Sequence, residues 1–126
     1  MKSNLLLLLL FVLLAHSEIV STDHNRVIGG WNRLRGSYNG IIGNENHLYG
    51  HHNGIIGNQN KVAGNYNGLI GSFNKVHGSA NGIMGNENWV QGHRNEVYGN
   101  RNGIMGHRNW VNGNSNLVRG AGNVLW

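Results

Sequence analysis

Side chains that could perform acid–base or nucleophilic chemistry are few in this chain and lie far apart. Its 126 residues include five carboxylates and no cysteine. Glu45 and Glu87 occupy the same position of the repeat described below, but three 14-residue repeats separate them. Catalysis needs a nucleophile, a base and an orienting group held together. This spacing predicts a protein that is not an enzyme.

Histidines are the remaining candidates for metal ligands. His51, His52, His93 and His107 fall at predicted turns, and an arginine follows the last two. A metal site requires several histidine or carboxylate ligands that converge on one point. Calcium-binding β-rolls place an aspartate in every nine-residue repeat, whereas the sole aspartate here is Asp23. The sequence therefore predicts neither a metal nor another cofactor.

Two periodic arrays have binding chemistry instead. In the first, a large aliphatic side chain recurs every 14 residues, and a glycine precedes it by two positions. Its members are Ile42, Ile56, Ile70 and Met84. The second array combines cations with rings. Its members are Arg33, Arg35, His47, Tyr49, Lys61, Lys75 and Trp89.

Both arrays follow from a seven-residue repeat. Fifteen asparagines recur at intervals of seven from Asn25 to Asn123, each followed two residues later by an aliphatic side chain. Glycine comes four residues after the asparagine, from Gly29 to Gly120, so the repeat reads Asn-x-Φ-x-Gly-x-x, where Φ is aliphatic. Such a period indicates small units that bury their apolar side chains only by stacking on copies of themselves.

The repeat predicts strands and not helices. A coiled coil needs two apolar positions in every heptad, and a glycine in each heptad would cost a helix about 1 kcal/mol every time. Read as a strand, Asn-x-Φ-x-Gly points asparagine, Φ and glycine inward and the two x residues outward. Hairpin turns at Asn-Gly are the alternative, but ten of the fifteen asparagines lack a following glycine.

We therefore expect an all-β fold, a two-sided β-solenoid with about 14 residues per rung. One strand lies on each side of a rung, and Φ residues from both sides meet in a thin core. Inward asparagines would be costly to bury unless their amides are paired. Stacked at about 4.8 Å per rung, identical amides can pair along the axis as an asparagine ladder.

The run Asn60-Lys-Val62-Ala-Gly64-Asn-Tyr-Asn67-Gly-Leu69-Ile-Gly71 resembles the repeats of the grass ice-recrystallisation-inhibition proteins, the ryegrass antifreeze family. The resemblance spans residues 25–126. It implies a left-handed β-roll of about 14 to 15 residues per turn with inward valines, an internal asparagine ladder and a flat outer face that binds ice. Ice faces in that family carry threonine, serine and valine, whereas the only threonine here is Thr22.

We call the side that begins with Asn25 face A and the opposite side face B. On face A, Ile42, Ile56, Ile70 and Met84 should form an exposed apolar stripe, which usually marks a binding site. Burial against a second copy, or drift in a tolerant repeat, are the alternatives. The same Asn-Gly-Ile pattern returns at Asn102 after three heptads, which predicts that Gly103 and Met105 fall on face B.

Face B carries the cations and rings. Such a surface suits an acidic polysaccharide or a single-stranded nucleic acid, and a solvated basic face is the third possibility. The formal net charge of +5 agrees with all three. Nucleic acid is the less favoured partner because the chain has a predicted secretory leader.

The predicted domains are a signal peptide at 1–17, a short lead-in at 18–24 and the solenoid at 25–126. Lys2, the apolar run from Leu5 to Leu14 and the small residues Ala15 and Ser17 are typical of a cleaved leader. A membrane anchor would need about 20 apolar residues. The expected location is extracellular, with no membrane partner.

Two hypotheses follow. The first is a secreted ice-binding protein that inhibits ice recrystallisation. The second is a secreted structural or interaction solenoid that self-associates or binds extracellular polysaccharide.

Overall fold

The structure, a computed structural model, describes residues 18–20 and 24–126, and the predicted signal peptide lies outside these residues. Over the described ranges the chain forms sixteen short strands and no helix. The strands are β1 Glu18–Val20, β2 Arg26–Ile28, β3 Arg33–Arg35, β4 Gly40–Ile42, β5 His47–Tyr49, β6 Gly54–Ile56, β7 Lys61–Ala63, β8 Gly68–Ile70, β9 Lys75–His77, β10 Gly82–Met84, β11 Trp89–His93, β12 Glu96–Tyr98, β13 Gly103–His107, β14 Trp110–Asn112, β15 Leu117–Ala121 and β16 Val124–Leu125. The all-β prediction is confirmed.

Alternate strands build two parallel sheets. The odd-numbered strands form one eight-stranded sheet and the even-numbered strands form the other, each in sequence order. Neighbouring strands pair in register, for example Ile41 with Ile55 and Val62 with Val76. Each 14-residue rung therefore supplies one strand to each sheet, which confirms the two-sided β-solenoid. Strand β1, within the segment predicted as a lead-in, pairs with β3 and begins the odd-numbered sheet.

The core is a single file of aliphatic side chains from each sheet. All thirteen buried hydrophobic residues occupy the Φ position of the repeat. Val27 and Leu125, the Φ residues of the first and last heptads, are partly buried and pack against this core. The inward direction of the Φ column is therefore confirmed along the whole repeat.

The asparagine ladder is present inside the solenoid. Twelve asparagines from Asn32 to Asn109 are buried. In a typical member, Asn67 Nδ2 donates to Asn53 Oδ1 at 3.0 Å and to the Gly78 carbonyl oxygen at 2.9 Å. The backbone N–H of Asn67 also donates to Asn53 Oδ1 at 2.9 Å. Within the described residues no buried side-chain polar atom lacks a partner.

Asparagine-to-alanine substitution in the ladder should destabilise the fold. We expect Asn67→Ala to lower the free energy of unfolding by about 1–3 kcal/mol, because buried acceptors and donors lose partners that water cannot replace. Asn81 donates both its backbone N–H and its Nδ2 to Asn67 Oδ1, so the damage reaches the next rung. Chemical denaturation followed by circular dichroism measures the change.

The matched control is Asn65→Ala at the neighbouring turn. Asn65 Oδ1 accepts one hydrogen bond, from the backbone N–H of His51 at 2.8 Å, in an exposed setting. Water can replace that bond, so we expect a loss below about 1 kcal/mol. A larger loss from Asn65→Ala than from Asn67→Ala would contradict the inward assignment of the ladder.

The turns between strands have one repeating conformation. The repeat glycine has a positive φ, from +109° at Gly120 to +145° at Gly113. The residue before each inward asparagine is left-handed, with φ between 55° and 62° in fourteen residues from His24 to Ser115. Only a small set of local conformations therefore carries the chain round each corner. No helix in the described ranges has the length and apolar character to cross a membrane.

Candidate functional site

The stripe on face A is an exposed, in-register row of aliphatic side chains. Strand pairing places Ile42 beside Ile56, Ile56 beside Ile70, and Ile70 beside Met84. These four side chains are 47%, 51%, 48% and 49% exposed. Ile28 precedes them in the same column and is exposed as well. The structure therefore brings the predicted residues together, and it extends their row by one rung.

A strip of glycines runs beside the stripe. Gly40, Gly54, Gly68 and Gly82 are paired in register. A Cβ atom placed on any of the first three would meet no heavy atom within 4 Å. This strip and the stripe line a shallow groove of about 800 Å³, with Arg26 and Glu96 among its lining residues. Face A thus presents a smooth strip of backbone next to a low apolar ridge.

Polar and aromatic residues end the stripe at β12. Tyr98 follows Met84 in register, and its hydroxyl donates to the Glu96 carboxylate. This hydrogen bond, which the ionised phenol cannot donate, raises the pKa of Tyr98. Beyond it, Trp110 packs edge-on against Trp126 with ring centroids 4.6 Å apart. The aliphatic stripe is therefore confined to strands β2 to β10.

The repeat pattern changes face at Asn102, as the sequence predicts. Gly103 pairs with Trp89 and Met105 pairs with Gln91, all on the odd-numbered sheet. The Gly-Ile-Met sequence of β13 therefore faces the side opposite to the stripe. Face A cannot regain the stripe beyond that point without another displaced heptad.

The cations and rings of face B lie in two columns. Arg33, His47, Lys61, Lys75 and Trp89 follow one another in register in the first column. Arg35 and Tyr49 follow one another in the second column, and the Arg35 guanidinium lies 5.1 Å from the centre of the Tyr49 ring. All seven predicted residues are exposed. A groove of about 350 Å³ lies between the columns from β3 to β9.

The turn histidines have a structural role that the sequence did not reveal. Nδ1 of His51, His93 and His107 each accepts a backbone N–H one rung earlier, at 3.1, 3.0 and 3.2 Å. The rings of His93 and His107 stack with centroids 5.2 Å apart. In the residues the structure describes, no group of three histidines and carboxylates comes together. These histidines join rungs at the corner of the solenoid.

Asparagine side chains join neighbouring rungs at the other corner, where the chain passes from face A to face B. The side chain of Asn58 accepts both the backbone N–H and the Nδ2 of Asn44, and Asn86, Asn100 and Asn114 continue the pattern. The signal in the sequence is a polar acceptor immediately after the repeat glycine. The heptad pattern does not report these hydrogen bonds, so the sequence alone predicts only ordinary turns at these positions.

The two carboxylates that share a column are engaged on this same edge. Glu45 accepts a hydrogen bond from Gln59 Nε2 at 2.7 Å. Glu87 pairs with Arg101 at 3.0 Å. Both lie at solvent-exposed corners, so each carboxylate joins a neighbouring rung and neither faces a cleft.

Stacked rings give the repeat distance along the axis. The rings of His24, Tyr38, His52 and Tyr66 form a column at a corner next to face A, with successive centroids 4.7–4.8 Å apart. Planes of neighbouring rings differ by 7° or less. The rungs that carry the stripe are therefore evenly spaced and nearly parallel.

Comparison with known proteins agrees with this architecture. A family model described as a grass antifreeze beta roll matches residues 11–106 and, in a second placement, residues 32–126. No curated protein matches the chain. The two matched ranges together include every strand of the solenoid from β1 to β16.

Proposed function

Because the chain belongs to the grass antifreeze beta-roll family, we propose that it is a secreted ice-binding protein that inhibits ice recrystallisation. The family supports ice as the partner. The predicted leader at residues 1–17 supports secretion. The non-enzymatic character of an antifreeze roll agrees with the scattered carboxylates.

We assign ice binding to the stripe on face A. The observation that carries this assignment is the row Ile42, Ile56, Ile70 and Met84, one half-exposed aliphatic side chain on each successive rung. Ice is a rigid, periodic surface, so it is best matched by a rigid array with its own fixed repeat. The asparagine ladder and the parallel sheet hold that array in place, because every rung is hydrogen-bonded to the next.

The apolar character of the stripe is compatible with contact with ice. Each aliphatic side chain that is removed from liquid water contributes at most about 1.5–3 kcal/mol to the free energy of binding. The adjoining glycine strip has no side chains that would keep the ice surface away from face A. Since a crystal cannot deform to fill a gap, flatness matters more here than hydrogen-bonding capacity. An aliphatic ridge beside bare backbone therefore takes the place of the threonine-rich face seen in the family.

A second copy of the chain is the other candidate partner for this face. Arg26 and Glu96 occupy the same column as the glycines, at its two ends. A two-fold axis that lies in the interface, parallel to the strands and between β6 and β8, would place each Arg26 opposite the partner's Glu96. The same axis would bring Ile56 opposite Ile70. This charge complementarity favours an antiparallel dimer as the alternative function.

We expect Ile56→Lys to abolish ice recrystallisation inhibition and to leave the fold intact. The side chain lies in the middle of the stripe and is 51% exposed, so a lysine is tolerated in the folded protein. Its hydrated ammonium would stand above the ridge and keep ice away from the neighbouring rungs. Crystal size after annealing of splat-cooled samples measures the activity, and the melting temperature checks the fold.

The control is Lys75→Glu on face B, which should leave ice growth unchanged. Sedimentation velocity on the same proteins separates the two candidate partners. An ice-binding monomer keeps its sedimentation coefficient after Ile56→Lys, whereas a face A dimer dissociates. If the Ile56→Lys variant still inhibits ice recrystallisation as strongly as the unchanged protein, the assignment of the stripe to ice is refuted.

A further inference from the structure

Face B carries a row of basic side chains that the ice proposal does not use. In the first column of the odd-numbered sheet, the cations Lys61 and Lys75 are paired in direct register, and the imidazole of His47 precedes Lys61. Arg33 precedes them in the same column. Like charges on directly opposed residues destabilise a sheet. Folding alone gives no reason for this arrangement, whereas an anionic partner would offset the repulsion.

One carboxylate residue, Glu18 of β1, is paired in register with Arg33 at the end of this column. The other carboxylates of the described residues lie away from the column. Glu45 and Glu87 are on the corner that precedes face B, where Gln59 and Arg101 engage them. Glu96 lies on face A, in hydrogen-bond contact with Tyr98. Lys61 and Lys75 make no salt bridge over the part of the chain that the structure describes. The centre of the row is therefore available to an external anion.

The row forms one side of an open groove. The groove of about 350 Å³ has Lys61 and Lys75 on one side and Tyr49, Ala63 and His77 on the other. Small Ala63 leaves room between the larger Tyr49 and His77. The Arg35 guanidinium contacts both the ring and the hydroxyl of Tyr49. These contacts restrict the conformations of the tyrosine side chain. The groove runs along the solenoid axis, parallel to the row of charges.

We propose that this groove binds a linear polyuronate, an unbranched chain of uronic acid sugars, with the chain lying along the solenoid axis. Each uronic acid unit carries one carboxylate. A 1→4-linked pyranose unit is about as long as one rung, whose repeat is 4.7–4.8 Å. Successive units are rotated about the chain axis, but the flexible side chains of Lys61 and Lys75, one rung apart, can reach carboxylates of two nearby units. The apolar face of a sugar ring can lie against Tyr49.

The side chains favour a polysaccharide over a single-stranded nucleic acid. Nucleic acid sites place aromatic rings so that successive bases stack on them. Here Tyr49 is followed in register by Ala63, and the next large ring, Trp89, lies in the other column beyond Lys75. Two cations, Lys61 and Lys75, follow one another directly, whereas the large rings are isolated. This pattern suits a polymer whose charge repeats on every unit and whose rings need only occasional contact.

The test is titration calorimetry of the purified protein with a size-defined oligogalacturonate at moderate salt. The variant Lys61→Glu/Lys75→Glu should bind at least about tenfold more weakly, because two charge-assisted contacts become repulsive. Its melting temperature and its inhibition of ice growth should stay unchanged, since both residues are exposed and lie opposite the stripe. Retention of full affinity by this variant would overturn the proposal.

The matched control is Arg94→Glu/Arg108→Glu. These arginines are exposed at a corner, one rung apart, and give the same change in net charge. We expect an effect below about threefold, because salt screens charges outside the groove. An equal loss in both double variants would show nonspecific charge attraction and refute a groove site.

Two other ligands complete the test. A fully methyl-esterified galacturonate polymer, which has no charge, should not bind, and equal binding would overturn the role of the cations. A single-stranded oligonucleotide of similar length should bind more weakly than the oligogalacturonate. Tighter binding of the oligonucleotide would identify the groove as a nucleic acid site and refute the polysaccharide.

Discussion

We expect Gly64→Ala to destabilise the protein by about 3 kcal/mol or more, through backbone strain and steric overlap together. Gly64 has φ +141°, a conformation that side-chain-bearing residues rarely adopt. A Cβ atom at this position would lie 1.8 Å from the carbonyl oxygen of Gly78 and 2.7 Å from its carbon. Both clashing atoms belong to the backbone of the next rung, so no side chain can rotate away.

Gly68→Ala is the control, because it makes the same chemical change four residues away. Gly68 points outward from β8, and its Cβ would meet no heavy atom within 4 Å. Alanine there restricts the unfolded chain without strain in the folded state. We expect a change in stability within about 1 kcal/mol, in the stabilising direction. Urea denaturation of the two variants makes the comparison, and similar midpoints would contradict the turn geometry.

These two glycines show what the sequence could and could not predict. Gly64 occupies the glycine position of the heptad and Gly68 does not. The repeat alone therefore distinguishes the glycine that the turn requires from the one that it does not. The period also predicts which aliphatic residues are buried, because a rigid alternation of inward and outward residues leaves no other place for Val62 or Leu69. The asparagine ladder follows from the same argument, since a buried amide without a partner would be too costly.

The corner hydrogen bonds could not be predicted in the same way. His93 and Asn65 follow a repeat glycine, and both accept a backbone N–H from the previous rung. Those bonds depend on a left-handed residue next in the chain, such as Arg94 with φ 55° or Tyr66 with φ 58°. Arginine and tyrosine carry no local preference for that conformation. Stacking of neighbouring rungs imposes it, and a heptad pattern does not contain that information.

The candidate site was predictable in position but not in shape. A 14-residue recurrence places Ile42, Ile56 and Ile70 on one face, and the register confirms it. The heptad displacement before Asn102 likewise predicted that Met105 would leave that face. The groove on face B does not follow from the repeat, because it depends on the side-chain conformations of Tyr49 and the other lining residues. Side-chain conformations at a surface are set by neighbours in three dimensions and not by the repeat.

The ladder also explains why damage to one rung should spread. Each buried asparagine is hydrogen-bonded to the rungs on both sides, as Asn60 is to Asn46 and Asn74. In a stacked repeat, stability is close to a sum of terms between neighbouring units. A rung that loses its core therefore weakens two interfaces at once. Replacing one core residue by a charged residue should therefore destabilise the fold strongly, even when the new side chain is small.

We expect Val62→Asp to destabilise the protein by about 3–5 kcal/mol, because it leaves a carboxylate without a partner in the core. Val62 is 3% exposed and lies between Leu48 and Val76, which supply no hydrogen-bond donor from their side chains. Lys61→Asp, one residue earlier on the solvent side, should cost less than about 0.5 kcal/mol. Thermal unfolding followed by circular dichroism compares them, and equal losses would disprove the inward and outward assignment on which both binding faces depend.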